Sequence, residues 1–135
     1  MYAKLRKRLE IIADTIGADH EEIPFMANNK AWGRTFIEIE ESKYQLKIYD
    51  YAHYIKTITF DNIDDLVFEI AQALISSVVS NKIKGFDNGQ AHSDRKFRGR
   101  LFELYIEYAG KISSEFKVKM EEHISEVLAN QPYRD

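Results

Sequence analysis

Thr35 to Phe60 reads TFIEIEESKYQLKIYDYAHYIKTITF, and its apolar residues recur at every second position. In Thr35 to Glu40, Ile37 and Ile39 oppose Phe36, Glu38 and Glu40; in Lys43 to Tyr49, Tyr44, Leu46 and Ile48 oppose Lys43, Gln45, Lys47 and Tyr49. Successive side chains of a strand point to opposite faces, so each run is a strand with one apolar face. A third run, Ala52 to Phe60, sets Tyr54, Ile58 and Phe60 on one side, interrupted by Lys56. Glu41-Ser42 and Asp50-Tyr51 supply turn residues between the runs, which makes the expected sheet a three-stranded antiparallel meander.

On either side of this block the apolar period changes to three and four, the mark of amphipathic helices. Upstream, Leu5, Leu9, Ile12 and Ile16 share one face of a helix from about Tyr2 to Ile16, with Gly17 as its C-cap. An irregular stretch holding Pro24, Asn28-Asn29 and Trp32-Gly33 joins it to the sheet. Downstream, Asp61 is placed to cap a helix reaching about Ile83, and Asp64 and Asp65 in its first turn suit the helix dipole. Its stripe is Ile63, Leu66, Val67, Ile70, Leu74 and Val78, widened by Ala71, Ile75 and Val79. Lys84 to His92, with Gly85 and Gly89, reads as a loop, and Ser93 as the cap of the next helix.

The last third predicts two helices broken at Ser113-Ser114. Phe97, Leu101, Leu104, Tyr105, Tyr108 and Ile112 form the stripe of the first; Phe116, Met120, Ile124, Val127 and Leu128 form that of the second. Pro132 cannot extend the helix, so Tyr133-Arg134-Asp135 are expected to leave as a short tail. The predicted architecture is therefore α+β in a single domain, residues 1–135: an N-terminal helix, a three-stranded antiparallel meander, then three helices packed on the sheet, leaving its other face for solvent or a partner.

The 135 residues contain no cysteine, which excludes disulfides and thiolate metal sites and fits a reducing, cytoplasmic setting. The basic start is followed by Glu10 and Asp14, unlike a secretion signal, and Leu66 to Val79 is too short and too polar to span a bilayer. No membrane partner is expected. Residues 21–81 carry ten acidic and five basic side chains, so the middle of the chain is acidic. Such a face is either simply solvated or suited to a basic protein partner.

Few residues suggest chemistry. His20, His53, His92 and His123 are scattered without metal-ligand spacing, and Gly85 to Gly89 lacks the Lys-Ser or Lys-Thr ending of a phosphate loop. Glu38 and Glu40 share a strand face and Asp64 and Asp65 open a helix, so neither pair is positioned as an acid and base. The expectation is a protein without catalytic residues, metal or cofactor. Arg95, Lys96, Arg98 and Arg100, beside Phe97 and Phe102, form the densest basic cluster. With a sequence pI near 5.8 and the aromatics in the apolar stripe, ion pairing to the acidic middle is expected rather than nucleic acid. Trp32, Tyr49 and Tyr51 are candidate exposed aromatics, either interface residues or core-edge residues.

Taken in order, the tyrosine-bearing strand from Tyr44, Lys56-Thr57, the acidic helix start at Asp64-Asp65, the helix holding Arg98 and Phe102, and the Pro132-Tyr133-x-Asp135 ending resemble immunity protein family sixty-three of bacterial polymorphic toxin systems. Arg98-Gly99-Arg100 stands where that family pattern has an adjacent arginine pair. The resemblance implies a cytoplasmic immunity protein that binds a cognate toxin protein and blocks it without catalysis of its own. The face expected to meet a basic toxin surface comprises Glu38, Glu40, Glu41, Tyr49, Asp50 and Tyr51. The alternative is a small regulatory or scaffold module that binds another protein, or itself, through the helical face around Arg95 to Tyr108.

Overall fold

The computed structural model describes residues 1–27, 34–50, 53–83 and 94–134. The fold is α+β. Helix α1 (Tyr2–Ile16) leads through a short 3-10 turn (His20–Glu22) to strands β1 (Phe25–Met26), β2 (Phe36–Glu40), β3 (Lys43–Asp50) and β4 (His53–Phe60). Helices α2 (Ile63–Lys82), α3 (Asp94–Ile112) and α4 (Ser114–Asn130) follow. These elements fall into two compact units: residues 1–14 with 19–74, and residues 15–18 with 75–135.

In the first unit the strands lie in the order β1-β2-β3-β4. The meander is as the alternation predicts, with β2 antiparallel to β3 and β3 to β4, but β1 adds a fourth strand parallel to β2. The sheet is therefore mixed rather than purely antiparallel. A two-residue strand after Pro24 is too short to show alternation, and pairing alone defines it: Phe25 N–H donates to the Thr35 carbonyl at 3.1 Å. β1 also ends too early to meet Ile39, whose N–H donates instead to the Tyr2 hydroxyl at 2.8 Å, tying the start of α1 to the sheet.

Ile37 and Leu46, from the alternating apolar set, are buried, as are Leu5, Leu9 and Ile12 of α1 and Leu66, Val67 and Ile70 of α2. Each such side chain stabilises the fold by about 1.5–3 kcal/mol when fully removed from water. Arg8 of α1 reaches Asp64 of α2 at 2.9 Å. Gly17 takes φ 78° just past α1, as the C-cap reading expects. The start of α2 differs from the expectation. Asn62, not Asp61, is the cap: its side-chain Oδ1 accepts from Asp65 N–H at 2.9 Å while its side-chain Nδ2 donates to Asp65 Oδ2 at 3.0 Å. The first bond satisfies an N–H that the first turn leaves unpaired, and the second favours Asn62 over its neighbour.

A second correction concerns β4. Ile48 faces Lys56 but Tyr49 faces Tyr54, so Ile55 is an extra residue and a β-bulge breaks the alternation. Tyr54 therefore lies on the opposite face from Ile58 and Phe60. Lys56 becomes intelligible as well. Among the described strands β4 is the last in the sheet, and a bulge and a charge on the apolar face are two devices that discourage an edge strand from pairing with another chain.

In the second unit α3 and α4 pack against each other, joined by Ser113, whose hydroxyl accepts from Phe116 N–H at 3.1 Å and caps α4. Leu104 and Tyr108 of α3 and Met120 and Ile124 of α4 are the buried members of the predicted stripes, and Ala109 is buried beside them. Tyr105 Oη donates to Ser76 Oγ of α2 at 3.2 Å. The helix arrangement differs in detail from the expected three helices on the sheet, in that the last two pair with one another. The predicted loop from Lys84 to His92 and the Ser93 cap lie outside the described residues.

Candidate functional site

Among the described residues, two places gather several charged and aromatic side chains. The first is the outer face of the sheet. The β2–β3 hairpin closes through Glu41 and Ser42, both with left-handed backbone, φ 44° and 69°. Two such residues are what a type I′ turn requires, and Asn-Gly is the usual solution. The turn sets Glu40 opposite Lys43, Glu38 opposite Gln45 and Phe36 opposite Lys47. Carboxylates thus line β2 and ammonium groups line β3, with Lys47 Nζ 3.5 Å from Glu38 Oε2. Glu40, Glu41, Lys43 and Gln45 line a shallow open depression at the hairpin end.

At the other end of this face three rings form a series. Phe36 is buried; Tyr49 stacks on it at 5.8 Å between centroids; Tyr54 meets Tyr49 edge-on at 5.7 Å. Tyr54 is 59% exposed, its hydroxyl shares a 2.9 Å hydrogen bond with Thr57 Oγ1, and the bulge residue Ile55 beside it is 53% exposed. The rings grade from core to solvent, so Tyr54 is presented by packed neighbours rather than by a free tether.

Of the sequence-predicted residues, Glu38, Glu40 and Tyr49 share this face and Glu41 stands at the hairpin tip. Asp50 closes β3 opposite His53, and Tyr51 lies outside the described residues, as does Trp32. The face is less acidic than expected, because Lys43 and Lys47 interleave with the glutamates. Tyr54 and Ile55 were not singled out as candidates; the bulge that turns them outward has no signature in a run of alternating residues.

The second place is the first turn of α3. Arg98 Nη1 donates to Asp94 Oδ2 at 2.9 Å and to the Pro132 carbonyl at 3.3 Å, while Nη2 donates to the Gln131 carbonyl at 2.6 Å. Arg134 N–H donates to Asp94 Oδ2 at 3.0 Å. The Tyr133 ring lies 4.7 Å from the Arg95 guanidinium and 5.4 Å from that of Arg98, which also sits 5.5 Å from Phe102. The Arg134 N–H holds the Asp94 carboxyl below its ordinary value, helped by the Arg98 guanidinium and opposed by partial burial.

The residues after α4 form a short non-helical tail, as Pro132 predicts, and this tail folds back across the start of α3. Within the basic cluster, Arg98 serves Asp94 and the tail, and Arg100 pairs with Glu103 at 3.3 Å. Of the residues that carry the family resemblance, Arg98, Phe102, Pro132 and Tyr133 converge here, whereas Asp64 and Asp65 serve Arg8 and the α2 cap.

His20 lies between Asp14, 2.7 Å from Nε2, and Glu10, 3.6 Å from Nδ1. The two carboxylates address opposite ring nitrogens, so the three cannot converge on one ion. Among the described residues no group of His, Cys, Asp and Glu is arranged to hold a metal, and no helix is long and apolar enough to cross a membrane. No family model, curated protein or solved structure matches the chain.

Proposed function

We propose that the protein is an immunity protein, which neutralises a cognate polymorphic toxin in the cytoplasm by one-to-one binding and without catalysis. The observation that carries this reading is the outer sheet face. A graded series of rings ends in the exposed Tyr54 and Ile55 at one end, and Glu38, Glu40 and Glu41 stand at the other. Packed aromatic groups supply contact area at little entropic cost, and peripheral charges set association rate and partner choice. The resemblance through Tyr44, Arg98, Phe102, Pro132 and Tyr133 supplies the class of partner. The alternative, a scaffold working through Arg95 to Tyr108, would need a helix on which Arg95 and Arg98 already hold the tail and Leu104 and Tyr108 are buried.

The test is titration of the toxin domain encoded by a neighbouring gene. Residual toxin activity should fall linearly to zero at one equivalent of this protein. Replacing Glu38, Glu40 and Glu41 together with lysine should slow association and reverse its salt dependence. Toxin activity that is unaffected by an excess of the protein would end the proposal.

A further inference from the structure

The tail held by α3 is bound as a ligand would be. Gln131 N–H still bonds to the Val127 carbonyl at 2.7 Å, the last helical hydrogen bond of α4. Beyond it, Arg98 takes the carbonyls of Gln131 and Pro132, and Asp94 takes the N–H of Arg134. These are main-chain groups that any extended segment offers, and Pro132 has no N–H to be left unmet. Selectivity rests on Tyr133, whose ring occupies the space beside Arg95 and Arg98, with its hydroxyl 3.7 Å from where a Cβ on Gly99 would stand. The Arg134 side chain contributes little: it is 85% exposed and reaches Asp94 Oδ1 at 3.5 Å. By contrast the site's own charges are largely withdrawn from water, with side-chain exposures of 10% for Asp94 and 16% for Arg98.

We propose that the N-terminal part of α3, through Asp94, Arg95, Arg98 and Phe102, is a peptide-binding site for an extended Pro-Tyr segment of a partner protein, occupied in the free molecule by the chain's own Gln131 to Arg134. Gln131 N–H makes the last helical bond of α4, so the segment that follows can swing out at Gln131 without unwinding α4. Its advantage over a partner segment is the high local concentration that a short tether gives, on the order of millimolar for flexible linkers. A partner overcomes that advantage with contacts made elsewhere on its surface. The inference rests on the contacts between α3 and the tail rather than on the sheet face that carries the toxin reading, and its peptide test needs no toxin.

The probe is a fluorescein-labelled Gln-Pro-Tyr-Arg amide, followed by anisotropy with the full-length protein. Tyr133→Ala loosens the internal tail and should bind the probe at least about tenfold more tightly than the wild type does. Adding Arg98→Lys to that variant, or replacing the probe's tyrosine with alanine, should lower affinity by at least about tenfold, since the single ammonium of a lysine cannot span acceptors that Nη1 and Nη2 reach separately. If Tyr133→Ala fails to fold, insertion of Gly-Gly-Ser between Asn130 and Gln131 displaces the tail while keeping every site residue, and the same result is expected. A folded variant that binds no probe at about 1 mM overturns the proposal, as does binding indifferent to Arg98→Lys. A wild-type mass that rises with concentration and is lost in Tyr133→Ala, without probe binding, would overturn it in favour of tail exchange between copies.

Discussion

On the outer face of the sheet, Glu38 and Lys47 approach to 3.5 Å with side chains 23% and 28% exposed; at the first turn of α3, Asp94 and Arg98 meet at 2.9 Å with 10% and 16% exposed. Both places combine carboxylate, cation and tyrosine. On the sheet each charge finds a neighbour across one strand and keeps water, and the last ring of the series is open. On α3 the charges reach main-chain atoms more than thirty residues away, and the tyrosine ring lies against two guanidinium groups. A charge that keeps its water remains available to a partner, whereas one saturated by its own chain holds that chain in place. The same residue types therefore have opposite uses, and sequence composition alone does not separate them.

Mutations should separate them in stability. Arg98→Ala removes two charge-assisted hydrogen bonds to carbonyls and the packing of Tyr133, and should destabilise the protein by about 2–3 kcal/mol. Lys47→Ala, at the corresponding pair on the sheet, should cost no more than about 0.5 kcal/mol. Chemical denaturation measures both, and equal losses would erase the distinction.

The hairpin tip sharpens the comparison from the other side. Glu41→Asn with Ser42→Gly relieves two left-handed residues and should stabilise the fold by about 1–2 kcal/mol. If the tip contacts the toxin, the same change should weaken binding, so stability and affinity would move in opposite directions. A smaller gain, up to about 1 kcal/mol, is expected for Gly99→Ala. A helix-interior glycine is conformationally costly, and the added Cβ meets Tyr133 Oη at an ordinary 3.7 Å. A loss instead would mean that the tail needs closer access to α3 than the structure shows.

Acid should also distinguish the two regions. The folded-state pKa of Asp94 lies below its ordinary 3.8, so its contribution is fully present above that value. It is lost as pH falls through the folded-state value. Protease sensitivity of the residues after Gln131 should therefore rise below about pH 4, and Asp94→Asn, measured by the same digestion, should show high sensitivity with a flatter pH dependence.

Much of the fold was legible. The 3.6-residue period defined α1 to the residue, and the two-residue period defined β2, β3 and the Glu41-Ser42 turn, because each pattern is local and directly reflects one buried face. The α2 cap was misplaced by one residue, since Asp61 and Asn62 are both good caps and the side-chain bond with Asp65 chooses between them. β1 escaped because two residues carry no period. The sheet-face candidates Glu38, Glu40 and Tyr49 were legible through alternation, but Lys47 as their neutralising neighbour depends on strand register.

By itself, the sequence determined the helices, the meander, the absence of cysteine chemistry, and which side chains could share a strand or helix face. These follow from covalent geometry and the removal of apolar surface from water over a few consecutive residues. Tertiary structure alone decided the outward turn of Tyr54 and Ile55, which needs a partner strand to define a bulge. It alone decided the capture of Tyr133 and Arg134 by Asp94, Arg95 and Arg98. Those residues are separated by dozens of positions, and long-range hydrogen bonds and ring contacts are selected by the packing of whole helices rather than by any local pattern.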